Sequence, residues 1–84
     1  MSSYKHKEFI LSFGRNLRKI RKSNGISQEE LSNLSGLALS QIGRIERGEI
    51  NTSLDIIQTI AISLKIKVSF LFEFEEDCDI ESHA

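Results

Sequence analysis

Apolar residues recur every three or four positions through most of this 84-residue chain, which is the spacing of amphipathic α-helices. The first such stretch is residues 5–24, where Phe9, Phe13 and Leu17 share one face and charged residues occupy most of the rest. Gly25 follows, and glycine readily adopts the left-handed conformation that ends many helices. The pattern therefore predicts a long first helix that ends at Gly25.

Two short helices are predicted next. Ser27 is suited to cap the second helix, and Glu30 three residues later completes a capping box. This helix is expected to end at residue 34 or 35, before a tight turn at Gly36. The third helix is expected at residues 38–47, with Ile42 and Ile45 as its buried side.

The C-terminal half predicts two further helices. A polar loop, residues 51–53, leads into a fourth helix that ends near residue 64, and residues 69–74 predict a fifth. The β-branched run at 66–68 also fits a strand, but the helical period before it favours helix. The sequence thus predicts an all-α, compact five-helix domain over residues 1–74. The expected core positions of the fourth helix are Leu54, Ile57, Ile60, Ala61 and Leu64.

The net charge of −1 conceals a strong asymmetry. All eleven Lys and Arg residues lie in residues 1–72 with six acids, a net charge of +5, whereas the last twelve residues hold the other six acids and no Lys or Arg. A basic body is compatible with nucleic-acid binding, although a solvated helix face would carry similar charges. The acidic tail, residues 75–84, is expected to aid solubility or to repel DNA from the wrong face.

Several classes of function are disfavoured. Cys78 is the only cysteine and His6 and His83 lie at opposite ends of the chain, so neither a metal site nor a fixed catalytic pair is indicated. We expect no enzymatic activity and no cofactor. No apolar run approaches the roughly 20 residues that span a membrane, and no signal peptide is recognisable, so a cytoplasmic location is expected.

The segment QEELSNLSGLALSQIGRI, residues 28–45, carries the functional prediction. It has a small residue, Ser32, where two helices would cross closely, a flexible turn residue, Gly36, and aliphatic anchors on the third helix. These are the requirements of a helix-turn-helix, whose second helix enters the major groove of DNA.

Together with IERGE at residues 45–49 and NTSL at residues 51–54, this segment resembles the lambda-repressor-like, Xre-type family of DNA-binding domains. The lambda and 434 repressors are established examples of this way of docking a helix into the major groove. Among the small members of this family, the chain also resembles the controller proteins of restriction–modification systems. The resemblance implies DNA contacts at Ser27, Gln28, Leu39, Ser40, Gln41, Arg44, Arg47, Asn51 and Ser53.

The resemblance also implies a buried ion pair, Arg21 with Glu46, that links the first helix to the third and has a structural role. The chain departs from the family pattern at Ala38, where a capping Ser or Thr is usual. It departs again at Thr52, where proline is frequent, and at Lys65, where glycine is usual.

The C-terminal part has more apolar residues than one small domain needs, and they fit either core or a two-fold dimer interface. The partners expected are double-stranded DNA with a palindromic operator and a second copy of the chain. RNA polymerase remains open as a further partner, and the alternative function is an Xre-type antitoxin that binds a protein toxin. No membrane partner is expected. The predicted interface residues are Ile62, Ile66, Val68, Phe70 and Phe74.

Overall fold

The computed structural model describes residues 3–75, with side chains from residue 6 onward; the first two residues and most of the predicted acidic tail, with Cys78 and His83, lie outside that range. Its elements, in chain order, are α1 (Ser3–Ser23), α2 (Gln28–Ser35), α3 (Leu39–Glu46), α4 (Leu54–Leu64) and a 3₁₀ helix (Val68–Phe72). The predicted all-α class is confirmed. Each predicted helix is present within a few residues of its expected bounds.

The fifth element is a 3₁₀ helix, so the prediction of an α-helix at residues 69–74 was wrong in type. The side-chain amide of Asn16 donates to the carbonyl oxygens of both Phe70 and Leu71, at 2.9 Å each. These carbonyls would otherwise accept the i→i+4 bonds that continue an α-helix. The segment instead closes with shorter-range bonds, such as Glu73 N–H to the Phe70 carbonyl.

One core forms between all five elements. Its fully buried members, with no more than 1% exposure, include Leu17 of α1, Leu31 of α2, Ile42 of α3 and Ile60 of α4. The prediction that Leu54 belongs to this core was wrong, because its side chain is 81% exposed. Leu54 is the first residue of α4. It fits the helical spacing of the core residues that follow, but at this end of the helix the side chain does not pack against the core.

Helices α1 and α3 approach closely at Gly14. A Cβ atom at Gly14 would lie 2.6 Å from the carbonyl oxygen of Glu46 and closer still to that of Ile45. Since these are backbone atoms, they have little freedom to withdraw. The glycine therefore sets how near α3 lies to α1.

Helix α4 ends in a left-handed turn at a residue that is not glycine. Lys65 has φ of 58°, and the N–H of Ile66 bonds to the Ala61 carbonyl while that of Lys65 bonds to the Ile62 carbonyl. This is the Schellman pattern, in which glycine normally occupies the left-handed position. Lys65, which stands where the family usually has glycine, therefore carries local backbone strain.

We predict that Lys65→Gly raises the free energy of unfolding by about 0.5–1 kcal/mol, because glycine adopts positive φ without a steric cost. Urea denaturation followed by circular dichroism measures the change. The matched control is Lys67→Gly, because Lys67 has φ of −70° and gains nothing from glycine. Equal shifts in the two variants would contradict the role of backbone strain.

Candidate DNA-binding surface

Helix α2 is fixed by hydrogen bonds at both of its ends. The Ser27 hydroxyl accepts from the N–H of Glu30 at 3.0 Å, and the Glu30 carboxylate accepts from the N–H of Ser27 at 2.8 Å, which confirms the capping box. At the other end Gly36 has φ of 79°, and the Ser32 hydroxyl donates to the Leu37 carbonyl at 2.6 Å. Helices α2 and α3 are therefore joined by a fixed connection.

Helix α3 has one buried side and one exposed side. Ile42, Gly43, Ile45 and Glu46 are buried against the rest of the domain. Ala38 is the N-cap residue of α3 and provides no side-chain cap, as expected where the family usually has Ser or Thr. The predicted base-contacting residues occupy the exposed side of α3. Leu39 is 43% exposed, Ser40 and Arg44 are exposed, and Gln41 is half-buried.

A buried network joins three helices behind this exposed side. Arg21 of α1 donates from Nε to Oε2 of Glu46 at 2.6 Å and from Nη2 to Oε1 at 3.0 Å. Its third nitrogen, Nη1, donates to the carbonyl of Ile26 at 2.8 Å. Arg21 and Glu46 are each 6% exposed, so neither is placed to contact DNA.

Gln28 joins this network from α2. Its amide nitrogen donates to Oε1 of Glu46 at 2.9 Å, and the side chain is half-buried. The amide nitrogen is therefore already used inside the protein. A phosphate contact at Gln28 stays a prediction, and it would use the start of α2, where Ser27 is exposed and backbone N–H groups favour anions.

The loop between α3 and α4 carries the remaining predicted phosphate contacts. Arg47 forms a two-bond ion pair with Glu49, and the hydroxyl of Ser53 donates to the carboxylate of Asp55. The hydrogen bond from Arg47 lowers the pKa of Glu49, and the bond from Ser53 lowers that of Asp55. Asn51 is exposed. Two of the candidate DNA ligands, Arg47 and Ser53, are therefore already bound to carboxylates of the protein.

Two further properties bear on the class of protein. Among the residues that the structure describes, no helix is long and apolar enough to cross a membrane. Within the same residues, no three His, Cys, Asp or Glu side chains gather in a group suited to a metal ion.

The sequence and the fold match known proteins. A helix-turn-helix family model covers residues 17–71. The chain belongs to this helix-turn-helix family. The predicted resemblance to lambda-repressor-like, Xre-type DNA-binding domains is confirmed.

Its relatives in the helix-turn-helix family include control proteins. The chain is 40% identical over 53 residues to Control protein C.SmaI of Serratia marcescens, a match that spans 63% of each protein and so less than two thirds of that relative. It is 40% identical over 65 residues to Control protein C.BamHI of Bacillus amyloliquefaciens, covering 76% of this chain and 80% of that one. These regulators are not enzymes, which agrees with the sequence prediction.

A solved structure of the same kind superposes well. The restriction-modification controller protein C.AhdI from Aeromonas hydrophila gives a TM-score of 0.74 at 44% sequence identity, covering 75% of this chain and 96% of that one. The similarity thus extends over nearly the whole of that controller.

Three residues that matter to this surface were not singled out from the sequence. Asn16 anchors the 3₁₀ helix, and its signal was a polar residue three positions after Phe13 on the apolar side of α1. Gly14 permits the close approach of α3, and its signal was a glycine inside a helix. Glu49 forms an ion pair with Arg47, and the only signal in the sequence was an acidic residue two positions after the arginine.

We predict that Arg21→Met lowers the free energy of unfolding by about 3–5 kcal/mol, because it leaves the buried carboxylate of Glu46 without its charged partner. The double variant Arg21→Met with Glu46→Leu should recover much of that loss, since an apolar pair needs no compensating charge. Urea denaturation of the three proteins measures both effects.

The matched control is Arg47→Met, which removes the same side chain from an ion pair whose partners are 58% and 49% exposed. It should leave the urea midpoint almost unchanged, because exposed pairs contribute little. A double variant as unstable as Arg21→Met would contradict the charge argument.

Proposed function

We propose that this chain is a homodimeric transcriptional regulator of the restriction–modification controller type, which binds a palindromic operator and regulates its own transcription. The observation that carries the proposal is the exposed side of α3, where the predicted base-contacting side chains lie on a helix whose other side is buried. The controller relatives support the biological assignment.

The exposed side chains suit different features of the major groove. Arg44 fits the O6 and N7 acceptors of guanine, and the amide of Gln41 fits the donor–acceptor pair of adenine. Ser40 suits either base, whereas Leu39 offers only an apolar contact, for which the thymine methyl group is the natural partner. Specificity would then depend on very few side chains in each subunit.

The phosphate contacts would come from the two ends of the motif. The start of α2, with Ser27 and Gln28, presents backbone N–H groups, and the loop after α3 presents Arg47, Asn51 and Ser53. Contacts of this kind orient the protein on the duplex without distinguishing sequence.

The dimer would form through an exposed surface that we call the C-terminal apolar patch, comprising Ile62, Val68 and Phe70. These side chains are 67%, 40% and 47% exposed, and they lie on α4 and the 3₁₀ helix, which contact each other. The other two predicted interface residues, Ile66 and Phe74, are partly buried against the core of their own chain. Three exposed apolar side chains on two elements that contact each other favour association with a second copy.

A two-fold dimer would set two α3 helices about 34 Å apart, one turn of DNA. We therefore predict that selection of bound duplexes from a random pool yields a palindromic consensus. Arg44→Ala should relax the preference at one position of each half-site, with a loss of about 1–3 kcal/mol per contact. Binding of the wild-type protein without any sequence preference would contradict base recognition by α3.

The dimer has its own test. Sedimentation at micromolar concentration should give a dimer for the wild-type protein and a monomer for Ile62→Glu, because a charge in the patch opposes its burial. Leu54→Glu is the matched control: Leu54 is an exposed apolar residue of the same helix but outside the patch, so this variant should remain dimeric. A monomeric wild-type protein would overturn the dimer and favour a protein partner for the patch, as in an antitoxin.

A further inference from the structure

Glu49 is a carboxylate in the middle of the proposed phosphate-binding loop. Its Oε2 accepts from Nε of Arg47 at 2.7 Å, and its Oε1 accepts from Nη2 of the same guanidinium at 3.3 Å. This is the side-on geometry with which arginine also binds a phosphate. The carboxylate therefore occupies the edge of Arg47 that a DNA phosphate would use.

The backbone fixes Glu49 in this place. Helix α3 ends in a Schellman turn in which Gly48, with φ of 71°, donates to the Ile45 carbonyl at 3.0 Å. In the same turn the N–H of Glu49 donates to the Arg44 carbonyl at 2.9 Å. Glu49 is thus bound by its backbone to the last turn of the helix that carries Arg44.

The guanidinium of Arg47 lies against α3 as well. Its Nη1 atom would be 3.0 Å from a Cβ atom at Gly43, so the absence of a side chain at Gly43 gives it room there. The positive charge of Arg44 acts on the Glu49 carboxylate in addition to that of Arg47. The end of α3 and the residues that follow it, Arg44 to Glu49 without the buried Glu46, therefore hold two arginines and one carboxylate, a net charge of +1 where the arginines alone would give +2.

We propose that Glu49 is a built-in competitor of the DNA backbone, which holds Arg47 in the free protein and must release it when a phosphate binds. The inference rests on the proposed function, in which Arg47 contacts DNA. The carboxylate lowers affinity in two ways: Arg47 exchanges one anionic partner for another, and Glu49 is then left close to phosphate charge. Both effects are independent of base sequence, so Glu49 restrains non-specific and operator binding alike.

The variant Glu49→Gln tests this, since it keeps the shape of the side chain and removes its charge. Fluorescence anisotropy would measure binding to the selected operator duplex and to a random-sequence duplex at several salt concentrations. We expect the variant to bind both duplexes about tenfold more tightly near 0.1 M salt, with a salt dependence steeper by up to about 0.9 per subunit in log–log slope. A purely structural role for Glu49 would not steepen the slope.

Two controls assign the effect to Arg47. Glu73→Gln makes the same change on an exposed side chain at the end of the 3₁₀ helix and should alter neither affinity nor slope appreciably. In an Arg47→Ala background, Glu49→Gln should lose the part of its effect that comes from competition for the guanidinium and keep only the part that comes from repulsion between Glu49 and phosphate. An effect of undiminished size in that background would overturn the competition.

The outcomes separate the two proposals. Unchanged or weaker binding of Glu49→Gln, beside a wild-type protein that prefers its operator, would overturn the competitor and leave the proposed function intact. A wild-type protein with no operator preference would overturn the proposed function, while tighter binding of Glu49→Gln to random duplex would still support the competitor.

Discussion

The buried carboxylate of Glu46 is the constraint on which the rest of the domain depends. A carboxylate removed from water destabilises a fold unless charges and donors surround it. Here the donors come from two other helices, Arg21 from α1 and Gln28 from α2. Satisfying one charge therefore requires all three helices to take a single relative position. The network lies directly behind the exposed side of α3, so the same requirement orients the side chains that we propose to face DNA.

Helix α1 holds both α3 and the 3₁₀ helix, and it does so mainly through backbone atoms of these two neighbours. Gly14 allows α3 to come within contact of the helix, and the amide of Asn16 holds two carbonyls of the 3₁₀ helix. Backbone positions move less freely than side-chain ends. Helix α3 and the 3₁₀ helix, which carries two residues of the C-terminal apolar patch, therefore both have positions set by α1. In the proposed dimer, α1 would relate the geometry of the interface to the spacing of the two α3 helices.

Signals within a few residues of each other allowed much of this fold to be predicted, and long-range contacts account for what could not be. The capping box at Ser27 depends on three neighbouring residues, and the exposed side of α3 follows from helical periodicity alone. By contrast, the 3₁₀ helix depends on Asn16, 54 residues earlier than its first partner. The engagement of Gln28 with Glu46 spans 18 residues, so the sequence indicated a phosphate ligand but gave no sign of its internal bond. Leu54 shows the opposite failure, because a correct helical period extended past the end of the packed surface.

The proposed dimer and the proposed competitor both affect the balance between base-specific and phosphate contributions to DNA binding. Each good contact to a base edge discriminates by about 1–3 kcal/mol, and α3 offers only a few such side chains, one of which is a leucine. Phosphate contacts strengthen binding at every sequence equally, so adding arginines to the loop would raise affinity while leaving that small discrimination unchanged. Doubling the half-sites increases the discriminating part of the binding energy, and a carboxylate beside Arg47 decreases the part that does not discriminate. Because α3 offers so few proposed base contacts, discrimination between sequences would depend on those contacts and on the second half-site, while the carboxylate beside Arg47 would limit overall affinity.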